Sequence, residues 1–207
     1  MDVATAIDEM LALAAAPARS ERVRAMRAAF EARTGAFSER DAFFEARSAA
    51  FWDDALTRGA FGRELAAELG DAARELVEPL ARAHRGLFEV AGAEESCFLL
   101  VDAWSGAELS CEPASSGLRD ALANAAGLVD GRALGVPRSR AIVLLPGAVF
   151  HHASALEPMR ALLPEARARG LDTHAALDAL LRMDHAFRTL SRVKPAFAYR
   201  KESLPRG

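Results

Sequence analysis

Residues 96–112, SCFLLVDAWSGAELSCE, decide the reading of the fold. Two short runs rich in Leu, Val and Phe flank Ala103-Trp104-Ser105-Gly106, the pattern of a β-hairpin. Facing Val101 with Ala107, Leu99 with Leu109 and Cys97 with Cys111 puts all six on one side, as a half-buried sheet requires. Outward from this hairpin, Leu87–Val90, Leu128–Val136 and Ala141–Leu145 read as further strands. Asp130-Gly131 and Pro137-Arg138-Ser139 read as turns, and Ser116–Ala126 as a short helix.

Both flanks read as helix. Ala occurs 47 times, and it is the strongest helix former. Val3, Ile7, Met10, Leu11 and Ala14 share one helical face, which Pro17 ends. Ser20 is expected to cap a second helix that stops at Gly35. Ser38 with Asp41 is expected to cap a third helix, with Phe44, Ser48, Phe51 and Ala55 as its stripe. Phe61, Leu65, Leu69, Ala72, Leu76 and Leu80 form a fourth run, to be broken near Gly70 and Pro79. The segment Phe30–Phe37 is echoed at Phe44–Phe51, each copy offering two Phe seven apart. After His152, Ser154 with Glu157 suggests a capping box, Pro164 a new helical start, Gly170 an end, and Asp172 or Thr173 the cap of a long helix closed by Pro195. The expected fold is therefore α+β: a helical region at 1–85, a small antiparallel sheet or partly open barrel at 86–153, and C-terminal helices with a basic tail at 154–207. No low-complexity linker divides them, so one domain, or two subdomains meeting near Gly86, is expected.

Composition narrows the chemistry. A 51% hydrophobic content excludes a mainly disordered chain, and two Cys exclude a disulfide scaffold. The net charge of −3 gives no global case for nucleic acid or an anionic membrane. The N-terminus carries Asp2, Asp8 and Glu9 where a signal peptide needs cations, and no uncharged run reaches the ~20 residues of a span. A cytoplasmic, soluble protein with reduced Cys is expected, without membrane contact. The cations are 24 Arg and only Lys194 and Lys201, so lysine chemistry is confined to two positions.

No phosphate-cradling loop, dinucleotide fingerprint, zinc-protease motif or Cys-x-x-Cys pair occurs. His151-His152, between a strand and a helix start, is the most suggestive pair. Either imidazole could act as a base, oriented by Asp102 at a strand end; the alternative is a pair of loop histidines at a helix start. His174, Asp178 and His185 share a helix face, but the two His are roughly 16 Å apart, too far to hold one ion. That face, like Asp53-Asp54, is expected to be solvated surface. Cys97 and Cys111 read as small buried hydrophobes. No cofactor and no metal site is expected.

The segment from Phe187 to Lys201 interleaves Arg188, Arg192, Lys194, Phe197, Tyr199, Arg200 and Lys201, a mix that suits single-stranded nucleic acid or an acidic protein. It also fits a tail whose Leu190, Val193, Phe197 and Tyr199 dock on the core. A non-enzymatic protein-interaction or regulatory module is the leading expectation. A hydrolase-like or metal-dependent enzyme centred on His151, His152 and Asp102 is the second, and a nucleic-acid binder through the C-terminal segment the third.

Overall fold

The computed structural model describes residues 3–137, 139, 141–190 and 194–206. The N-terminal third is helical, as its periodicity implies: α1 (Val3–Ala14), α2 (Ser20–Thr34), α3 (Phe44–Thr57), α4 (Phe61–Glu68), α5 (Asp71–Arg74) and α6 (Val77–Ala81). Pro17 opens a 3-10 turn, Pro17–Arg19, that runs straight into α2, so Ser20 lies inside the helix and does not cap it. Gly35 ends α2 with φ 97°, a conformation that disfavours a side chain. Asp41 does accept the Ser38 N–H at 2.7 Å, but this turn precedes the helix, which starts at Phe44. Gly70, with φ 102°, breaks the fourth run after α4, whereas Pro79 sits within α6. The echoed segments bring Phe30, Phe37, Phe44 and Phe51 into one cluster, with ring centroids 5.9–6.3 Å apart. Edge-on and tilted contacts of this kind add to plain burial.

The middle of the chain forms β1 (His84–Ala93), β2 (Phe98–Asp102), β3 (Glu108–Pro113), β4 (Val129–Gly135), β5 (Ile142–Leu144) and β6 (Val149–Phe150). β1 pairs with both β2 and β4, and β5 bridges β3 to β4, which closes the strands into a barrel. β4 lies beside β1 after the β1–β2–β3 meander, a Greek key. The β3–β5 pairing is parallel, and α7 (Ser116–Ala123) and β4 lie within its crossover. β6 adds a short rung on β4. β1 begins two residues before Gly86, so His84 and Arg85 belong to the barrel.

The hairpin register differs from the expected one by a single residue. Phe98 faces Cys111, Leu99 faces Ser110, Leu100 faces Leu109 and Val101 faces Glu108. The cause is the turn. Asp102 accepts N–H bonds from Trp104 (3.0 Å) and Ser105 (3.3 Å), and Gly106 adopts φ 76°. This spends one more residue in the loop than the expected pairing did. A one-residue slip exchanges faces, so Phe98 and Leu100 are buried while Leu99 is 38% exposed. Cys111 lies in the barrel interior; Cys97 accepts from the Ser110 hydroxyl instead of facing Cys111, and both thiols are free.

The C-terminal helices are α8 (Leu156–Ala168), α9 (Thr173–Thr189) and the short α10 (Pro195–Ala198). The Ser154–Glu157 box does not form; the ring of His152 instead accepts the Ser154 N–H at 3.2 Å, ahead of a 3-10 turn. Pro164 lies inside α8, and Pro195 opens α10 after α9 has already stopped at Thr189. Asp172 caps α9 by accepting from the Ala175 N–H at 2.7 Å. Leu134, Val143, Leu145 and Val149 of the barrel region and Leu181 of α9 share one core cluster with α1–α4. The helical and β regions thus pack on common side chains.

The register carries a direct test. Leu100→Ala should cost about 2–4 kcal/mol in urea unfolding, and Leu99→Ala about 1 kcal/mol or less. Reversed magnitudes would mean the strand faces the other way.

Candidate functional site

Charges gather in the interior where the helices meet the barrel. Asp54 of α3, Asp178 of α9, Arg85 of β1, and Asp130 and Arg132 of β4 are all buried. Arg85 grips Asp130 with two nitrogens, Nε at 3.1 Å and NH2 at 2.8 Å, and reaches Asp178 with NH1 at 2.6 Å. Arg132 donates to Asp54 at 2.6 Å. Arg33 of α2 joins the two groups, donating to Asp54 at 2.6 Å and to Asp178 at 2.8 Å. Arg58 closes the outer side, 3.2 Å from Asp178. Burial opposes charge at Arg85, but Asp130 and Asp178 outweigh it, so its guanidinium holds its proton more firmly than usual. At Arg132 burial wins, reinforced by repulsion from Arg85, and its affinity for its proton falls.

Asp53, Asp54 and Asp178 are therefore not solvated helix surface, as their sequence context suggests. The reason is their phase. Asp54 falls on the helical face of Phe51 and Ala55, while Asp130 and Arg132 alternate in phase with the buried Leu134. Charge on an inward face is the sequence signal that marks them.

Near this junction, His151 and Asp184 form a second buried group. His151 Nδ1 lies 3.3 Å from Asp184 Oδ1, Tyr199 donates its hydroxyl to the same oxygen at 3.3 Å, and Arg188 Nε donates to Oδ2 at 2.7 Å. Burial opposes the Asp184 charge, yet the His151 hydrogen bond and the Arg188 charge hold its carboxyl down to about 2. Burial and the Asp184 charge push the Tyr199 hydroxyl up. A carboxylate only accepts, so the His151 ring donates from Nδ1, and Nε2 has no protein partner among the described residues. Gly127 packs so closely on this strand end that a Cβ would come within 2.3 Å of the His151 carbonyl oxygen.

A cavity of about 330 Å³ opens beside the strand end, lined by Ala121, Asn124, Ala125, Gly127, Phe150, His151 and His152 among others. The structure thus brings His151 and His152 to one concavity, but the His151 imidazole is only 1% exposed. Asp102 is not the carboxylate that orients either His. It organises the β2–β3 turn, bonding to His84 Nε2 (3.2 Å), the Ser105 hydroxyl (2.5 Å) and the Leu87 N–H (3.1 Å). Burial raises it, but these donors bring its carboxyl down to about 2. Asp184, the carboxylate that does meet His151, sits one turn before Arg188 on α9.

The basic C-terminal residues split. Arg188 and Tyr199 are committed to Asp184, and Arg188 also donates to the Phe150 carbonyl at 2.7 Å. Lys194, Arg200 and Lys201 face solvent, and Arg192 lies outside the described residues. Phe197 is 61% exposed, with the Arg200 guanidinium 5.4 Å from its ring centroid, and Leu190 is 54% exposed; neither docks on the core. His174 is exposed, and His185 packs edge-on against Phe43. Among the described residues no group of three or more His, Cys, Asp or Glu is placed to hold a metal ion, and no helix is long and apolar enough to cross a membrane.

Two expectations follow. Asp178→Ala leaves Arg85 short of an acceptor in the interior and should cost about 3–5 kcal/mol in denaturant unfolding; a loss under 1 kcal/mol would show that the network is not held as described. Asp102 and Asp184 bind protons less readily folded than unfolded. Their stabilisation is complete above an unfolded-state value near 4 and is lost as pH falls towards 2. Acid unfolding should therefore steepen below pH 4, and less so in Asp184→Asn; an unchanged acid limb in that variant would contradict it.

The chain matches no protein-family model, and no curated protein or solved structure matches it.

Proposed function

We propose that this chain is a protein-interaction or regulatory module of the cytoplasm, and that its contact surface is the exposed basic end built by α10 and the residues after it. The observation that carries this reading is Phe197, 61% exposed on a segment that is otherwise anchored. Ala198, Tyr199 and Leu204 are buried, so the Phe197 ring is presented from a fixed base. Lys194, Arg200 and Lys201 surround it in sequence and form no ion pair among the described residues. Arginines elsewhere, such as Arg33, Arg85 and Arg132, are spent on internal carboxylates.

An exposed aromatic ring among unpaired cations suits a partner with an apolar side chain set among carboxylates. Burying the ring supplies affinity of about 1.5–3 kcal/mol, and the cations supply orientation and rate. A nucleic-acid strand is less well served. Tyr199, the other ring available for base stacking, faces Asp184, and Arg188 is committed there too. The hydrolase-like reading has the cavity and the His151–Asp184 pair in its favour, but needs an imidazole that substrate can reach. The free thiols of Cys97 and Cys111 fit a reducing compartment.

Fluorescence anisotropy with a labelled Glu-rich peptide carrying a central Phe tests the proposal, against a single-stranded oligonucleotide of equal charge. Binding of the peptide should weaken with added salt, and by about tenfold or more in Phe197→Ala. Oligonucleotide binding alone would favour a nucleic-acid partner, and no binding of either at low salt would remove α10 as the contact surface.

A further inference from the structure

The outer face of strands β1, β2 and β3 carries charge of one sign. Between Arg85 and Arg119 the chain holds no Lys, Arg or His. Alternation along the strands turns Leu99 and Val101 of β2 outward, beside Glu108, Ser110 and Glu112 of β3. Leu99 is exposed, and its partners across the ladder are small: Gly92 on β1 and Ser110 on β3. A glycine and a serine leave the Leu99 side chain standing open on both sides. Glu108 and Glu112 flank Ser110 two positions to either side, which makes them diagonal neighbours of Leu99 at about 7–8 Å. Both are exposed, and neither forms an ion pair among the described residues. Glu89, on the same face, is taken by Arg160. Arg119, where basic residues resume, donates to the Glu95 and Ser96 carbonyls. The face thus presents an apolar side chain between two free carboxylates.

The α10 end has the opposite character. α10 packs on α9 and on the 3-10 turn Ala153–Ala155, and it holds the Phe197 ring in solvent. Lys194 and Arg200 stand three residues to either side of Phe197, with the Arg200 guanidinium 5.4 Å from the ring centroid, and Lys201 follows. From residue 194 to 207, Glu202 is the one acid. One surface is a ring between cations, and the other is a leucine between carboxylates. Both belong to the same chain, so a second copy supplies each with what it lacks.

We propose that the chain associates with itself head to tail, the α10 end of one copy docking on the Leu99 face of the next. This rests on the reading of α10 as the contact surface and names a second copy as its partner. The Phe197 ring lies against Leu99, where Gly92 and Ser110 leave room for it, and the flanking cations face Glu108 and Glu112. The two patches differ, so the contact is heterologous: each end of an assembly keeps one patch open, and copies add in a row or close a ring. Only one aromatic ring and a few charge pairs are buried, which places the contact among the weak interfaces. It fills at high protein concentration and loosens as salt screens the pairs.

Two variants altered only at exposed residues test this. Phe197→Ala removes the docking ring, and Glu108→Lys combined with Glu112→Lys reverses the face that receives it. At high protein concentration and low salt, sedimentation of the unaltered chain should give a mass above that of one chain, rising with concentration. Each variant alone should need about tenfold more protein or more to associate to the same extent. Mixed in equal amounts, the two should recover a one-to-one dimer and nothing larger, because one supplies the face and the other the ring. A mixture that stays monomeric while the unaltered chain associates would overturn the head-to-tail contact, and so would an unaltered chain that stays monomeric. The Glu-rich peptide separates this from the reading beneath it. A chain that binds the peptide through Phe197 but does not self-associate loses only the second copy as its partner; one that does neither loses α10 as a contact surface as well.

Discussion

The double grip of Arg85 on Asp130 and Asp178 is the contact on which the rest of the molecule depends. Arg85 stands opposite Arg132 in the β1–β4 register, Asp130 lies two residues away on β4, and Asp178 comes from α9. Through Asp178 and Arg33 the contact extends to α2, and through Arg33, Asp54 and Arg132 it returns to β4. Removing these charges from water costs several kcal/mol per ion, and the network recovers this only if each partner is present. Helices α2, α3 and α9 each bring a partner to this network, so displacing any one of them would strand a buried charge. Apolar packing supplies most of the drive to fold.

Two further buried groups lie beside this junction. Asp53, Arg132 and the β5–β6 turn form its inner edge, while His151, Asp184, Arg188 and Tyr199 tie α9 and α10 to the strand end. Tyr199 and Arg188, which the sequence offers as contact residues, are instead the anchors that leave Phe197 exposed. The net charge of −3 conceals a local excess of exposed cations at the α10 end, where Lys194, Arg200 and Lys201 face solvent.

Much of the architecture was legible. The 3.6-residue phase of Val3, Ile7 and Met10, the turn at Gly35, the cap at Asp172 and the existence of the 98–112 hairpin are all local patterns, set by neighbours within a turn or two. The register was not legible, because it hangs on the Asp102 side chain choosing the Trp104 and Ser105 amides. The site was less legible still. His151 was singled out by its place at a strand end, but its carboxylate, Asp184, is 33 residues away and looks like an ordinary helix surface residue in sequence.

Sequence alone therefore settled the α+β class, the helical ends, the strand-rich middle and the restriction of lysine to two positions. These follow from propensity, periodicity and residue type, which act over short distances. Only the tertiary structure decided that the strands close into a barrel, that Asp53, Asp54 and Asp178 are buried, and that Phe197 is exposed while Tyr199 is not. Those outcomes depend on pairings such as Arg33 with Asp178, 145 residues apart. Burial reverses what a charged side chain means, and burial is a property of the assembled chain.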